Sequence, residues 1–128
     1  MEFKEVKNSG DKIKYKSGMV RNSQENKIRY DLISTLALER LAKHYTNGAK
    51  IYSENNGRNW ELGGPFSRFY ASMFRHLMSW REGDKSEDHL AALCWNAFCI
   101  LHFEEEGKEE KLNDLPYYKR GNNGSKKE

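Results

Sequence analysis

The chain has 128 residues, 37% of them hydrophobic and 32% charged, with a formal net charge of +3. That is one domain's length with a modest core, and the low apolar and high charged content favours short helices over a sandwich or barrel. Residues 1–30 carry eight Lys/Arg against four Asp/Glu, residues 31–106 eight against eleven, and residues 107–128 six against four, with no dense basic block, so sequence-specific nucleic-acid binding is not expected.

The N-terminus MEFKEVKNSGDKIKYK lacks the apolar stretch of a signal peptide, and no run of 18 apolar residues follows it, so the expectation is a cytoplasmic protein without a membrane span. Residues 1–28 hold turn formers (Asn8, Ser9, Gly10, Ser17, Gly18, Asn22) and little periodicity, which predicts an extended or partly disordered arm. Order is expected to begin near Tyr30-Asp31-Leu32-Ile33 and to open a helical domain over 29–106. From Ser34, an N-cap candidate, Leu38, Leu41, Ala42, Tyr45 and Ala49 mark one helix face reaching about Tyr52. Gly48 within it would permit close packing or a kink. The opposite face offers Glu39, Lys43 and Lys50, by default solvated charges.

Residues 53–66, SENNGRNWELGGPF, read as one long loop, a class that is often functional inside a compact domain. Trp60 there has two readings, a core anchor or a stacking platform for a base. Arg58 can hold phosphate oxygens in bidentate fashion, and Asn59 can read a base edge. Pro65 suits the start of a second helix whose Phe66, Phe69, Tyr70, Met73, Phe74, Leu77 and Trp80 predict a central, buried element.

Arg75 to Asn96 then gathers ionisable groups beside apolar helix, with Gly83 at the turn. Ser86 is the predicted N-cap of a third helix, placing Glu87 and Asp88 in its first turn, where carboxylates are favoured. His89 and Asn96, seven residues apart, share a face with Ala92. Such a turn reads either as capping with hydrogen-bonded histidines or as a site. Leu90, Leu93, Cys94, Ala97, Phe98 and Leu101 carry the third helix to Glu104-Glu105-Glu106-Gly107. Cys94 and Cys99 diverge on that helix and read as reduced packing residues. Beyond Gly107 a charged tail (107–128) has one apolar island, Leu115-Pro116-Tyr117-Tyr118, which would dock on the body or on a neighbouring subunit. Three helices with so much aromatic surface predict a homo-oligomer that completes the bundle.

Gly48-Ala49 with Tyr52, Arg58-Asn59-Trp60, Gly63, Arg75-His76-Leu77, Gly83-Asp84, His89-Leu90 and Asn96, preceded by Arg29-Tyr30-Asp31-Leu32-Ile33, together resemble the dATP/dGTP diphosphohydrolase N-terminal family found in phages, itself similar to the MazG-like nucleoside triphosphate pyrophosphohydrolases. The resemblance covers about residues 17–118. It implies an all-α, MazG-like helical bundle completed by oligomerisation, working in the host cytoplasm on a (deoxy)purine triphosphate to release monophosphate and pyrophosphate with Mg²⁺ or Mn²⁺. Such cations take carboxylate oxygens, which Asp84, Glu87 and Asp88 supply with Glu39 as a fourth. His76 and His89 are the candidates for catalytic proton transfer, and Lys50, Arg58, Asn59, Trp60, Arg75 and Asn96 for nucleotide contacts.

The sequence also departs from the MazG-like pattern. Glu39 has Leu36 and Ala42 where a Glu-x-x-Glu pair is expected, the second cluster runs Asp84-x-x-Glu87-Asp88, and Ile51 stands where a Lys commonly precedes the Tyr, with Lys50 one step earlier. A non-catalytic protein that sequesters a nucleotide is the alternative those departures point to.

Overall fold

A computed structural model describes residues 2–8 and 10–118; the charged tail from 119 onward, and Ser9, lie outside the described residues. The chain divides into two compact units, Met1–Ser34 and Thr35–Glu128.

In the first unit, β1 (Lys12–Lys14) pairs antiparallel with β2 (Val20–Asn22), Ile13 opposite Arg21. Within the segment expected to be extended or partly disordered, the turn formers Ser17-Gly18 close a hairpin: Gly18 has φ +96° and donates its N–H to the Tyr15 carbonyl at 2.9 Å. A 3-10 turn, Tyr30–Leu32, follows, and Arg29 holds Asp31 through two 2.8 Å bonds.

The second unit is helical: α1 (Thr35–Ile51), α2 (Phe66–Arg81), α3 (His89–Glu105) and a single turn, α4 (Glu109–Leu112). α1 begins directly after Ser34, as the capping pattern predicts, and continues through Gly48 to Ile51. The segment between α1 and α2 forms two 3-10 turns, Glu54–Gly57 and Asn59–Leu62, with Asn55 and Asn56 both in the left-handed region that Asn tolerates.

The buried helix is α3, not the aromatic α2. His89, Ala92, Asn96, Cys99 and Phe103 recur at helical spacing and are all buried, whereas α2 buries only Phe66 and leaves Tyr70, Phe74, Met78 and Trp80 about half exposed. The reason lies in side-chain size. Small Ala91, Ala92 and Cys99 let neighbouring helices approach α3 on several sides, whereas α2 turns only part of its apolar arc, Phe66 and Phe69, into the core and leaves the rest of that arc uncovered. Phe66, Cys99 and Phe103 centre the core, with Trp60, Phe69, Trp95, Leu112 and Leu115 packed against them. Cys94 and Cys99 are both free thiols, and burial pushes the Cys99 thiol up to about 12, leaving it inert.

Of the apolar island in the tail, Leu115 docks on this core while Tyr117 and Tyr118 stay exposed. The preceding Asp114 accepts the Ser67 N–H at 2.8 Å and the Ser67 hydroxyl at 2.6 Å, supplying to the first turn of α2 the acceptor that Pro65 cannot. Among the described residues no helix is long and apolar enough to cross a membrane.

Candidate functional site

The turn between α2 and α3 is built by Gly83, whose φ of +79° lets its N–H reach the Trp80 carbonyl at 3.0 Å while the Asp84 N–H reaches that of Ser79 at 3.1 Å. Asp84, though exposed, is then turned toward the start of α3. Its Oδ1 accepts the Ser86 N–H at 2.8 Å and its Oδ2 lies 2.9 Å from His89 Nε2. These donors, Ser86 first, hold the carboxyl at about 2. The other nitrogen of His89, Nδ1, lies 2.9 Å from Nδ1 of His76 on α2. With His89 Nε2–H donated to Asp84, the neutral pair is satisfied when His76 Nδ1–H donates to the His89 Nδ1 lone pair. Glu87 Oε1 stands 4.0 Å from His76 Nδ1. Burial pushes the His76 pKa down, with Glu87 opposing and His89, His44 and Arg75 adding to the shift.

Asp88, not Ser86, caps α3: its Oδ1 accepts the Ala91 N–H at 3.1 Å, and α3 opens at His89. The carboxylate also takes both arms of the Arg40 guanidinium at 2.7 Å, which holds its pKa at about 2. Ser86 lies instead in the turn, its N–H bound by Asp84, and Arg40, 48 residues away, also holds the capping carboxylate.

The other predicted residues are distributed as follows. Glu39 is exposed, 3.8 Å from Lys43. Asn96 is buried and donates to the Ala92 carbonyl at 2.8 Å and to Ser72 Oγ at 3.3 Å, tying α3 to α2. Arg75 is exposed beside His76, Lys50 is exposed near the end of α1, and Arg58 pairs with Glu61. The structure therefore gathers His76, His89, Asp84 and Glu87 at one turn, and sets Asp88 against Arg40 beside them.

A cleft of about 280 Å³ opens where α1, the inter-helix segment and α3 meet, lined by Tyr45, Ala49, Tyr52, Asn59, Trp60 and Trp95 among others. Its floor depends on a close approach: Gly57, at φ +81°, sits so near α1 that a Cβ there would stand 3.0 Å from the Ala49 Cβ. Small residues at both positions let the loop lie on the helix and present Asn59 and Trp60. Trp60 is partly buried with its ring edge-on to His102 at 4.9 Å and to Tyr45 at 5.9 Å, so it anchors the loop and walls the cleft at once.

His44 lines the cleft, its ring lies 5.9 Å from that of Trp95, and it acts electrostatically on both His76 and Asp88. Neither His44 nor Arg40 stands out in the sequence as a site residue, although their i,i+4 spacing on α1 puts them on one face.

Fold and site together define a class: a mostly helical protein in which one helix, α3, carries both an aromatic cleft wall and a histidine–carboxylate turn. The family follows from comparison, since residues 17–113 match the family model described as dATP/dGTP diphosphohydrolase, N-terminal, and the chain belongs to that family. This bears out the resemblance carried by the Gly48-Ala49, Arg58-Asn59-Trp60, Arg75-His76 and His89-Leu90 motifs, and it supports a general nucleotide-hydrolase reading. No curated protein and no solved structure matches the chain.

Proposed function

We propose that the protein is a (deoxy)purine nucleoside triphosphate diphosphohydrolase, cleaving the α–β phosphoanhydride to give monophosphate and pyrophosphate. The observation that carries this reading is that one helix, α3, carries both Trp95 of the aromatic cleft and His89 of the ionisable turn. Seven residues of α3 separate Trp95 in the cleft from Asp88 at the turn, about 10 Å at 1.5 Å per residue, which is comparable with the reach from a base through its sugar to the second phosphate. The base would lie against Trp60, Tyr45 and Trp95, with the Asn59 amide reading its edge. The phosphates would then extend toward His76 and His89, with Arg75 at the rim.

A divalent cation, Mg²⁺ or Mn²⁺, when bound neutralises triphosphate charge and activates water. The four carboxylates expected to hold it do not converge: Asp88 is committed to Arg40, Asp84 to His89 and Ser86, Glu87 faces His76, and Glu39 stands with Lys43 on the exposed side of α1. An all-oxygen Mg²⁺ shell does not fit these four as they stand. The same commitments favour a second reading, a protein that binds the nucleotide without turnover.

One assay separates the two. The protein is incubated with each NTP and dNTP and with Mg²⁺ or Mn²⁺, and the products are resolved chromatographically. Monophosphate plus pyrophosphate supports the hydrolase; intact nucleotide retained by the protein supports sequestration; diphosphate plus orthophosphate would overturn the α–β cleavage.

We also infer that the chain works as a homo-oligomer. Tyr70, Phe74, Met78 and Trp80 of α2 and Phe98 and Leu101 of α3 are each 45–61% exposed, and a second copy would cover them.

A further inference from the structure

We propose that His76, Glu87 and His89 form a binding site for a first-row transition-metal dication, selective against Mg²⁺. Among the described residues these are the three ligand side chains whose donor atoms converge, all within 4.8 Å of one another. The assignment deepens the nucleotide reading and rests on it for its place at the phosphate end of the cleft, while its test uses metal alone.

The first argument is the facing of two imidazole nitrogens. His76 Nδ1 and His89 Nδ1 lie 2.9 Å apart, close enough that one proton must sit between them if nothing else does. Two nitrogens bound to one ion at about 2.1 Å stand about 3.0 Å apart when cis at a right angle and about 3.4 Å apart in a tetrahedron. The observed spacing therefore suits a shared ion with small ring movements. Glu87 Oε1, 4.0 Å from His76 Nδ1, can close a third position by rotation of an exposed side chain.

The second argument is the orientation of His89. Ligating histidines almost always donate the ring nitrogen that does not bind metal to a carboxylate or carbonyl, which fixes the tautomer. Here Asp84 Oδ2 faces Nε2 of His89 at 2.9 Å, and Asp84 is itself fixed by the Ser86 N–H. That arrangement points the Nδ1 lone pair of His89 at the place where the ion would sit. His76 completes the pair by carrying its single proton on Nε2 instead of Nδ1, a tautomer change that needs no net proton uptake. Asp84 is thus a positioning residue and not a ligand.

The third argument is donor chemistry. Two imidazoles and one carboxylate suit the borderline ions of the first transition row, whereas Mg²⁺ prefers oxygen and keeps several waters. Of the two cations implied by family resemblance, this donor set disfavours Mg²⁺ and admits Mn²⁺ at the weak end of the series, with Co²⁺ and Zn²⁺ binding more tightly.

The test is a Co²⁺ titration of the full chain, freed of any affinity tag, followed by the visible ligand-field bands with circular dichroism as the control for folding. One equivalent of Co²⁺ should bind with bands that survive a hundredfold excess of Mg²⁺. Glu87→Gln, at an exposed position that carries no packing, should weaken binding by about tenfold or more with helicity unchanged, and His76→Gln should abolish the bands. Absence of saturable binding, displacement by Mg²⁺, or full affinity in Glu87→Gln overturns the site. A protein that hydrolyses a triphosphate yet binds no Co²⁺ removes this site and leaves the nucleotide reading standing; one that binds Co²⁺ yet leaves every triphosphate intact and unbound does the reverse.

Discussion

Trp60 shows how one side chain can serve packing and ligand together. Its edge meets His102 and Tyr45 while part of the ring borders the cleft. Stacking on an aromatic ring is worth about 1–3 kcal/mol per base, so Trp60→Ala should weaken purine nucleotide affinity by about tenfold or more. Because the ring also packs on the Phe103 core, the same change should lower the melting temperature. Calorimetric affinity and a thermal melt on this one variant check both, and unchanged affinity would remove Trp60 from the site. Asp88 invites a different comparison. Asn is as good a cap as Asp, but it cannot match a guanidinium in charge, whereas Ala removes both functions. Asp88→Asn should therefore keep α3 intact and loosen Arg40, and Asp88→Ala should lose about 1 kcal/mol more through the missing cap; denaturant unfolding of the two variants gives the difference.

At the scale of elements, the inter-helix segment and α1 meet at Gly57 and Ala49. Gly57→Ala would force both a left-handed alanine and a 3.0 Å methyl contact, so it should destabilise the chain and displace Asn59 and Trp60 from the cleft. Gly48→Ala is the matched contrast. A methyl there meets nothing within 4 Å, and the helix should gain up to about 1 kcal/mol, read as a higher unfolding midpoint. The clasp of Asp114 on Ser67 adds a pH signature. Its carboxyl is held below the ordinary value of 3.8 by the Ser67 hydroxyl and N–H, so the clasp is fully present above that value and is lost as pH falls through the lower folded one. The gap in melting temperature between wild type and Asp114→Ala, open at neutral pH, should close as pH falls below the ordinary carboxylate range.

The three long helices are legible in sequence because local signals set their limits: Ser34 before α1, Pro65 before α2, and Gly107 after α3. The cap of α3 is not, since Ser86 and Asp88 are both good caps by type, and neither the Asp84 turn that takes up Ser86 nor the Arg40 pair from 48 residues away can be read from local sequence. The convergence of His76, His89 and Asp84 was readable only as neighbouring polar groups on two helices; which nitrogen faces which depends on the Gly83 turn. Asn96 was placed correctly on the face of His89, but its amide is spent on Ser72, a partner that helix periodicity cannot name.

For the molecule as a whole, the half-exposed aromatics of α2 are the feature that a lone chain handles poorly. Light scattering at micromolar concentration should give a multiple of 15.0 kDa, and a monodisperse monomer would refute the assembly. Polar substitution at Phe74, about half exposed in the single chain, should lower the mass without unfolding the helices.

The clasp from the C-terminal side has one more bearing, on where this domain may be cut. The family match stops at residue 113, yet the carboxylate that seats α2 belongs to Asp114 and the last leucine on the core is Leu115. A fragment excised at the edge of the match would bare the first turn of α2 and uncover one side of Phe103's surroundings, so its failure to fold would say nothing about the family; a fragment carried through Pro116 would keep both and is the shorter chain to exchange between relatives or fuse to another domain.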